Sequence, residues 1–156
     1  MAIVATGEET EAIYAFGGLG VSFQTTLALY NIERDCWEDL SEEGDPSEAS
    51  PGARVHHELI NISDKRLMLF GGFKPFGGHL SQKRATKEAL IYDLSTKKWS
   101  KTLSQKSFVP PRAGHCFHSI GENVLIFGGE SNNGEFLLDC WGASLQSKIP
   151  ILSFCV

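Results

Sequence analysis

The sequence predicts an all-β fold of about three repeats, each built from four short antiparallel strands. An apolar run that ends in two glycines occurs three times, as IYAFGG at 13–18, LMLFGG at 67–72 and VLIFGG at 124–129. The first glycines stand at positions 17, 71 and 128, so the pattern has a period of 54 and then 57 residues. A Tyr and a Trp seven residues apart follow two of these runs, and an Arg precedes two of them. Repetition at such a period is typical of a repeat architecture.

Each apolar run is predicted to be a strand that lies between two covered faces. A helix would be destabilised by the glycine pair, since each Gly costs about 1 kcal/mol relative to Ala. A membrane span would need about 20 apolar residues, and none of the three runs approaches that length. The glycines indicate a strand end where the backbone requires positive φ or a close approach of another segment.

The remaining three strands of each repeat follow from turn residues and spacing. A strand after the Arg (HHELINI, HCFHSI) is joined by a tight turn (SDK, GEN) to the apolar run. After a loop of variable length come a strand that carries the Tyr, a turn, and a last strand that begins near the Trp. These turns and strand lengths are typical of hairpins. We therefore predict repeat units at about 1–50, 51–108 and 109–156, with the last incomplete, in a single domain.

Four antiparallel strands in about 50 residues are typical of a β-propeller blade. Here the chain resembles the kelch repeat family over nearly its whole length. The residues that carry the resemblance are Gly17, Gly18, Gly71, Gly72, Gly128, Gly129, the pairs Tyr30/Trp37 and Tyr92/Trp99, and the segments at Arg54 and at 112–115. The resemblance implies a partial kelch-type propeller in which both Trp37 and Trp99 are buried between blades.

The pattern breaks at both ends of the chain. Ala143 stands where the third Tyr is expected and Pro150 where the third Trp is expected, and the tail KIPILSFCV is either a substitute outer strand or an unrelated terminus. Three blades cannot close a ring, because propellers need about four to eight. The chain is then a piece of a larger propeller, a truncated isoform, or a subunit that closes by association. The open blades predict self-association or low stability.

Composition excludes several classes of function. The net charge of −5 argues against general nucleic-acid binding. No stretch is apolar enough for a membrane span, and residues 1–18 lack the basic and apolar regions of a secretory signal. The four cysteines show no CxxC spacing, so reduced thiols and a cytoplasmic or nuclear location are expected.

Catalytic and metal sites are not indicated by the motifs. His115 and His118 would face opposite sides of a strand and could not bind one ion without other ligands. Some kelch enzymes carry Glu-xxx-Asp-xxx-His; Glu135 and Asp139 have that spacing, but Ala143 replaces the His. We therefore expect no cofactor, no metal and no enzymatic activity.

Charge in two loops suggests a partner-binding face. Residues 38–51 carry six acidic residues and no basic one, whereas residues 73–87, a long loop between the second and third strands, are basic. We expect an acidic or phosphorylated protein segment to contact Arg54, Lys74, Phe76, Lys83 and Arg84. The resemblance implies a protein-interaction module that docks a partner or substrate in a larger assembly. The alternatives are a fragment of a catalytic or metal-dependent kelch enzyme and a truncated product without a function of its own.

Overall fold

The computed structural model describes residues 2–6, 12–20, 22, 24–40, 49–76, 79–102, 109–145 and 153–155, of which 2–6, 79–81 and 153–155 are described by their backbone. Every regular element in this part of the chain is a β-strand, so the predicted all-β class is confirmed. Within the same residues there is no helix that could span a lipid bilayer.

Within the described residues, fourteen strands form three four-stranded antiparallel sheets and one two-stranded ribbon. Blade 1 contains β1 (Ala2–Thr6), β2 (Ala12–Phe16), β3 (Leu27–Asn31) and β4 (Cys36–Asp39). The ribbon contains β7 (Phe73–Phe76) and β8 (His79–Ala85). Blade 2 contains β5 (Glu58–Ser63), β6 (Arg66–Phe70), β9 (Ala89–Asp93) and β10 (Lys98–Lys101). Blade 3 contains β11 (Cys116–Ile120), β12 (Asn123–Phe127), β13 (Cys140–Ser144) and β14 (Ser153–Cys155).

The three blades lie side by side, with their first strands adjacent. Strand β5 contacts β1 of the preceding blade and β11 of the following blade. Within each blade the strands are ordered as they occur along the chain. Each blade therefore has a preceding face and a following face, and the core consists of two layers between neighbouring blades.

The first core layer lies between the following face of blade 1 and the preceding face of blade 2. Tyr14, Phe16 and Leu27 of blade 1 pack in one cluster with blade 2 residues that include Leu69 and Tyr92. Trp99 packs against this cluster with its ring 5.5 Å from that of Phe16. Alternating apolar residues of two sheets thus interdigitate, as in other face-to-face sheet packings.

The second core layer repeats this arrangement between blades 2 and 3. Ile60 and Phe70 from the following face of blade 2 cluster with Phe117, Val124 and Ile126 from the preceding face of blade 3. The effect of the neighbouring blades is clearest in β6 and β12. Strand β6 has buried residues on both faces, whereas in β12 only the residues that face blade 2, Val124 and Ile126, are buried.

The prediction that both tryptophans are buried is wrong for Trp37. Trp37 is 59% exposed, whereas Trp99 is partly buried. Both pair directly with their tyrosines, Tyr30 opposite Trp37 and Tyr92 opposite Trp99, on the preceding face of their blades. Blade 1 precedes blade 2 and covers Trp99, but no described residue forms a blade that covers Trp37.

Alanine substitutions at the two tryptophans are expected to differ in cost. Trp99→Ala should lower the free energy of unfolding by about 3 kcal/mol, because it removes ring contacts in the first core layer. Trp37→Ala should cost less than about 1 kcal/mol, as is usual for exposed positions. Urea denaturation of dilute protein would compare them, and equal losses would contradict the two different environments.

The expectation of a long loop at 73–87 also needs correction. Most of this segment is the β7–β8 ribbon, whose register pairs Phe73 with Ala85 and Lys74 with Arg84. At the other end of the chain, β14 pairs with β13, as one of the two expectations for the tail proposed. The acidic segment 38–51 lies largely outside the described residues, since 41–48 are not among them.

Candidate functional site

The glycine pairs mark the places where the next blade contacts the preceding one. Gly71 and Gly72 have φ of 66° and 92°, a region that favours glycine. A Cβ on Gly71 would lie 2.7 Å from the carbonyl oxygen of Arg112 and 2.7 Å from Cε1 of His115. The amide of Gly72 donates a 2.9 Å hydrogen bond to that same carbonyl. Glycine is therefore required at position 71 by the Arg–His segment of the next repeat, and at position 72 by its own repeat, where a Cβ would lie 2.7 Å from Cβ of His57.

The same contact joins blade 1 to blade 2. The amide of Gly18 donates to the carbonyl of Arg54 at 3.2 Å, and a Cβ on Gly17 would lie 3.0 Å from that oxygen and from Cε1 of His57. Two successive blade junctions thus use one construction. This repetition explains why Arg, His and the glycine pair recur in register along the sequence.

The two arginine side chains are entirely buried and bind their own blades. Arg112 Nη1 donates to the carbonyl of Gly128 at 2.9 Å, and its two terminal nitrogens bind the carboxylate of Asp139 at 2.6 and 2.8 Å. Arg54 binds the carbonyl of Gly71 at 3.1 Å, the carbonyl of Pro51 and, at 2.9 Å, the carboxylate of Glu88. Each arginine therefore ties the first glycine's carbonyl to an acidic residue.

The prediction that Arg54 contacts a ligand is wrong. Its side chain has no exposed area and its terminal nitrogens are occupied by groups of the same chain. Burial lowers the pKa of Arg54, and the hydrogen bond and charge of Glu88 oppose that shift. Arg54 is a structural residue, which sequence reasoning could not distinguish from an exposed cation.

The sequence motifs did not identify Glu88 and Asp139 as the acidic partners of the arginines. Glu88 directly precedes β9 and Asp139 directly precedes β13, so they occupy equivalent positions. The hydrogen bond from Arg112 holds the pKa of Asp139 below its ordinary value. Burial would raise the pKa of Glu88, but hydrogen bonds and charges from Lys74 and Arg54 outweigh it and lower that pKa. The available signal was an acidic residue directly before the third strand of blades 2 and 3.

The buried histidines beside the glycine pairs are neutral packing residues. His57 Nε2 donates to the carbonyl of Phe16 at 3.1 Å, and its ring packs edge-on against the Phe16 ring. Burial, assisted by Arg54, lowers the pKa of His57 to about 3. His115 packs in the same way on Phe70, and burial lowers its pKa to about 4.

The described part of the chain does not bring together a set of side chains that could bind a metal ion. No group of three or more His, Cys, Asp or Glu residues there could hold a metal ion. His115 is buried whereas His118 is exposed, in agreement with their alternation along a strand. Asp139, half of the Glu-xxx-Asp motif, is bound by Arg112 and by Trp141 Nε1.

The β7–β8 ribbon is firmly attached to the blades at its base. Phe73 and Ala85 are buried together with Val55 and Ala113 in a small apolar cluster. Val55 and Phe73 exchange two backbone hydrogen bonds, of 3.0 and 2.8 Å. The backbone amide of Ala85 donates to Oδ1 of Asn132 at 2.6 Å, so the loop of blade 3 holds the ribbon as well. The predicted basic loop is therefore a defined element rather than an irregular connection.

The ribbon separates its cations onto two faces. Lys83 Nζ lies 4.3 Å from the centroid of the Phe73 ring, on the face that carries Phe73. Arg84 Cζ lies 6.0 Å from the centroid of Phe76, on the opposite face, where Lys74 is its cross-strand partner. Alternation along strands produces this division. Lys83 and Arg84, adjacent in sequence, thus do not belong to one contact patch.

Lys74, Phe76 and Arg84 form what we call the ribbon's basic face. Phe76 is 56% exposed and Arg84 is exposed. Lys74 is half-buried and forms a 2.5 Å ion pair with Glu88. Burial lowers the pKa of Lys74, opposed by its hydrogen bond to Glu88. Arg84 is therefore the cation of this face that has no ion pair among the described residues.

Lys83 lies over a separate cleft. This cleft, of about 540 Å³, is bounded by Lys83 of the ribbon and by Phe127, Phe136 and Leu138 of blade 3. Phe136 and Leu138 are more than four-fifths exposed, at 84% and 86%. The cleft is thus mainly apolar with one cation at its edge.

Comparison with known proteins agrees with this architecture. The family model described as KLHDC2/KLHL20/DRC7 Kelch-repeats domain matches residues 1–149. Acyl-CoA-binding domain-containing protein 4 of Arabidopsis thaliana is 28% identical over 155 residues, which are 92% of this chain and 22% of that protein. An F-box/kelch-repeat protein of the same plant is 36% identical over 117 residues, 72% of this chain and 23% of that protein.

A third relative is alpha-scruin of Limulus polyphemus, 25% identical over 136 residues that cover 83% of this chain and 14% of that protein. The chain thus spans about a fifth or less of the length of the first relatives it matches. The family match covers blades 1 and 2, blade 3 as far as β13, the glycine pairs and both buried arginines. The chain belongs to the kelch-repeat family.

Proposed function

We propose that the chain is a protein-docking module whose ligand is an acidic or phosphorylated segment of a partner, bound at the ribbon's basic face. Kelch-repeat domains generally act as protein-interaction modules, which supports docking as the general role. The observation that carries the finer proposal is the exposed pair of Arg84 and Phe76 on an anchored ribbon.

Rigidity of the ribbon favours binding. Its base is held by the buried Phe73 and by hydrogen bonds from Val55 and to Asn132. A loop that is ordered before binding loses less conformational entropy when a ligand docks. Loops presented by a rigid scaffold commonly carry function for this reason.

The chemistry of the basic face selects an anion. Residues 73–87 contain Lys74, Lys83, Arg84 and Lys87 and no acidic residue. A guanidinium can bind a carboxylate or phosphate through two parallel hydrogen bonds. Phe76 beside it offers an exposed aromatic surface, and aromatic and Arg residues are frequent anchors in interfaces. An acidic segment with an apolar residue next to its charge fits this pair.

We expect Arg84→Glu to weaken binding of such a segment about tenfold or more, the effect of about 1.4 kcal/mol. Fluorescence anisotropy with a panel of labelled peptides, unmodified, acidic and phosphorylated, would measure the dissociation constants. Lys83→Glu should weaken binding less, since Lys83 lies on the other face of the ribbon. The double variant should abolish binding, and higher salt should weaken it because exposed charges are screened.

A matched control is available on the same blade. Lys97 and Lys98 are exposed and lie at the β9–β10 turn, at the end of blade 2 remote from the ribbon. The variant with both changed to Glu alters net charge as much as the Lys83/Arg84 double variant. If both double variants weaken binding equally, only net charge matters and the proposed face is wrong. If no peptide in the panel binds, docking of an acidic segment at this face is refuted.

A further inference from the structure

We propose that Glu88 makes the ribbon's basic face selective for the carboxylate of an Asp or Glu side chain over a phosphorylated residue. This selectivity rests on the docking function proposed above and decides which of its two kinds of anion binds. The face is not uniformly basic, because Glu88 places a carboxylate against Lys74, with 2.5 Å between Lys74 Nζ and Glu88 Oε2.

The carboxylate of Glu88 is held in place from two sides. Its Oε2 atom accepts a 2.9 Å hydrogen bond from Nη2 of the buried Arg54 and forms the ion pair with Lys74. Both contacts use Oε2, so within the described residues Oε1 has no partner. The side chain of Glu88 is 42% exposed. A partly exposed carboxylate therefore lies beside Lys74, on the surface that a ligand would approach.

The equivalent acidic residue of blade 3 is arranged differently. Asp139 uses both carboxylate oxygens to bind Arg112, at 2.6 and 2.8 Å, and its side chain is 19% exposed. Glu88 has one methylene group more and reaches beyond its arginine to Lys74 of the ribbon. The arginine-binding role that the two acidic residues share therefore does not account for the exposed contact with Lys74.

The ion pair changes the charge that a ligand meets. The ammonium group of Lys74 is engaged by Glu88, and Arg54 is fully buried with its terminal nitrogens bound within the chain. In the described part of the chain, the exposed Arg84 is then the cation of the basic face without an ion pair. One guanidinium matches one carboxylate, which can accept two parallel hydrogen bonds from it.

A phosphate group suits this arrangement less well. It carries about −1.5 to −2 charges at pH 7. Doubling the charge of a ligand doubles both its attraction to Arg84 and its repulsion from Glu88, whereas the Born cost of desolvating an ion rises with the square of its charge. A dianion therefore needs more than one unpaired cation to bind as well as a carboxylate does.

Three peptides that differ at one position test this selectivity. They have blocked termini and carry Glu, phosphoserine or serine beside the same apolar residue, and fluorescence anisotropy at about pH 7.5, where the phosphate is a dianion, measures their dissociation constants. We expect the natural chain to bind the Glu peptide about threefold or more tightly than the phosphoserine peptide, and the serine peptide most weakly.

The variant Glu88→Gln should reverse this preference. It keeps an oxygen that can accept from Arg54, removes the negative charge and releases Lys74 for the ligand. Relative to the Glu peptide, binding of the phosphoserine peptide should tighten about tenfold. A merely structural role of Glu88 would weaken both peptides and leave the ratio of their dissociation constants unchanged.

A matched control removes the same charge elsewhere. Glu33 is exposed at the β3–β4 turn, at the end of blade 1 remote from its glycine pair, and Glu33→Gln should leave the ratio unchanged. If Glu88→Gln loses its β-sheet circular dichroism, the double variant Arg54→Met/Glu88→Gln, compared with Arg54→Met alone, takes its place. Replacing both members of a buried pair costs less than removing one.

The outcomes separate this selectivity from the docking function. If both charged peptides bind through Arg84 but the natural chain binds phosphoserine equally well or better, the selectivity is overturned and docking stands. A ratio that Glu88→Gln leaves unchanged, or that Glu33→Gln changes equally, would overturn the role of Glu88. If no peptide binds, the selectivity and the docking function both fail.

Discussion

Replacing Arg112 with Met is expected to lower the free energy of unfolding by about 3–5 kcal/mol, the cost of breaking a buried ion pair by removing one partner. The guanidinium is fully buried, and Asp139, with its side chain 19% exposed, would keep a carboxylate without a counterion. The carbonyl of Gly128 would also lose its hydrogen bond from Arg112. Urea denaturation monitored by tryptophan fluorescence would measure the loss, provided that the m-value is unchanged.

Two further variants test whether the unpaired carboxylate causes the loss of stability. In the Arg112→Met background, Asp139→Asn should restore part of the lost stability, because the neutral amide is less costly to leave unpaired than a carboxylate. Arg54→Met should cost less than Arg112→Met, since Glu88 is 42% exposed and retains Lys74 as a partner. A loss below about 1 kcal/mol for Arg112→Met would show that the ion pair does not organise blade 3.

Acid is expected to destabilise the fold well above the pH at which carboxylates usually protonate. Burial lowers the pKa of His57 to about 3 and that of His115 to about 4, and the charge of the nearby arginine is the second cause in each case. In the unfolded chain both revert to a pKa of about 6.5. Between these values the unfolded state binds protons that the folded state does not, so stability falls as pH falls.

The magnitude follows from the pKa difference. At pH 4.5 each histidine should cost about 2–3 kcal/mol relative to pH 7, from about 1.36 kcal/mol per unit of pH below 6.5. Glu88 and Asp139, whose pKa values are lowered, add their loss only at lower pH, as the solution approaches the ordinary carboxyl range. The upper part of the interval from pH 6.5 to 4.5 therefore reports mainly the histidines. Towards its lower end Glu58, whose pKa burial raises, takes up a proton in the folded state and offsets part of their effect.

Non-ionisable replacements make this test specific. Urea denaturation at several pH values should give a slope of about two protons for the natural chain and about one for His57→Gln or His115→Gln. His56 is exposed and adjacent to His57, so His56→Gln is a matched control that should keep the slope of two. A free energy of unfolding that is constant from pH 6.5 to 4.5 would show that neither histidine is held neutral.

The local sequence pattern determined much of the fold, because each repeat contains the residues that form its own strands and turns. The spacing of seven from Tyr30 to Trp37, and from Tyr92 to Trp99, leaves room for a tight turn and places each Tyr directly opposite its Trp. The apolar runs before the glycine pairs are central strands, as predicted. Positive φ at Gly71 and Gly72 was also predictable, since the backbone there must accommodate a close neighbour.

The candidate site was less predictable from sequence. The basic composition of 73–87 was visible, but its strand pairing and the separation of Lys83 from Arg84 depend on register. Arg54 and Arg84 are the same residue type, and the sequence does not distinguish them. The side chain of Arg54 is buried in blade 2, whereas that of Arg84 is exposed. Glu88 and Asp139 lie at different distances from their glycine pairs because the intervening segments differ in length, which concealed their equivalence.

The sequence alone therefore determined the strands and turns of the blades, the repeat period and membership of a repeat family, since these depend on interactions between residues close along the chain. The tertiary structure decided which of these similar residues are buried. Trp99 is covered and Trp37 is not, although their local sequences and cross-strand partners match. The physical reason is that burial in a propeller comes from the neighbouring blade. Blade 2 has a blade on each side, whereas no described residues form a blade on the outer faces of blades 1 and 3.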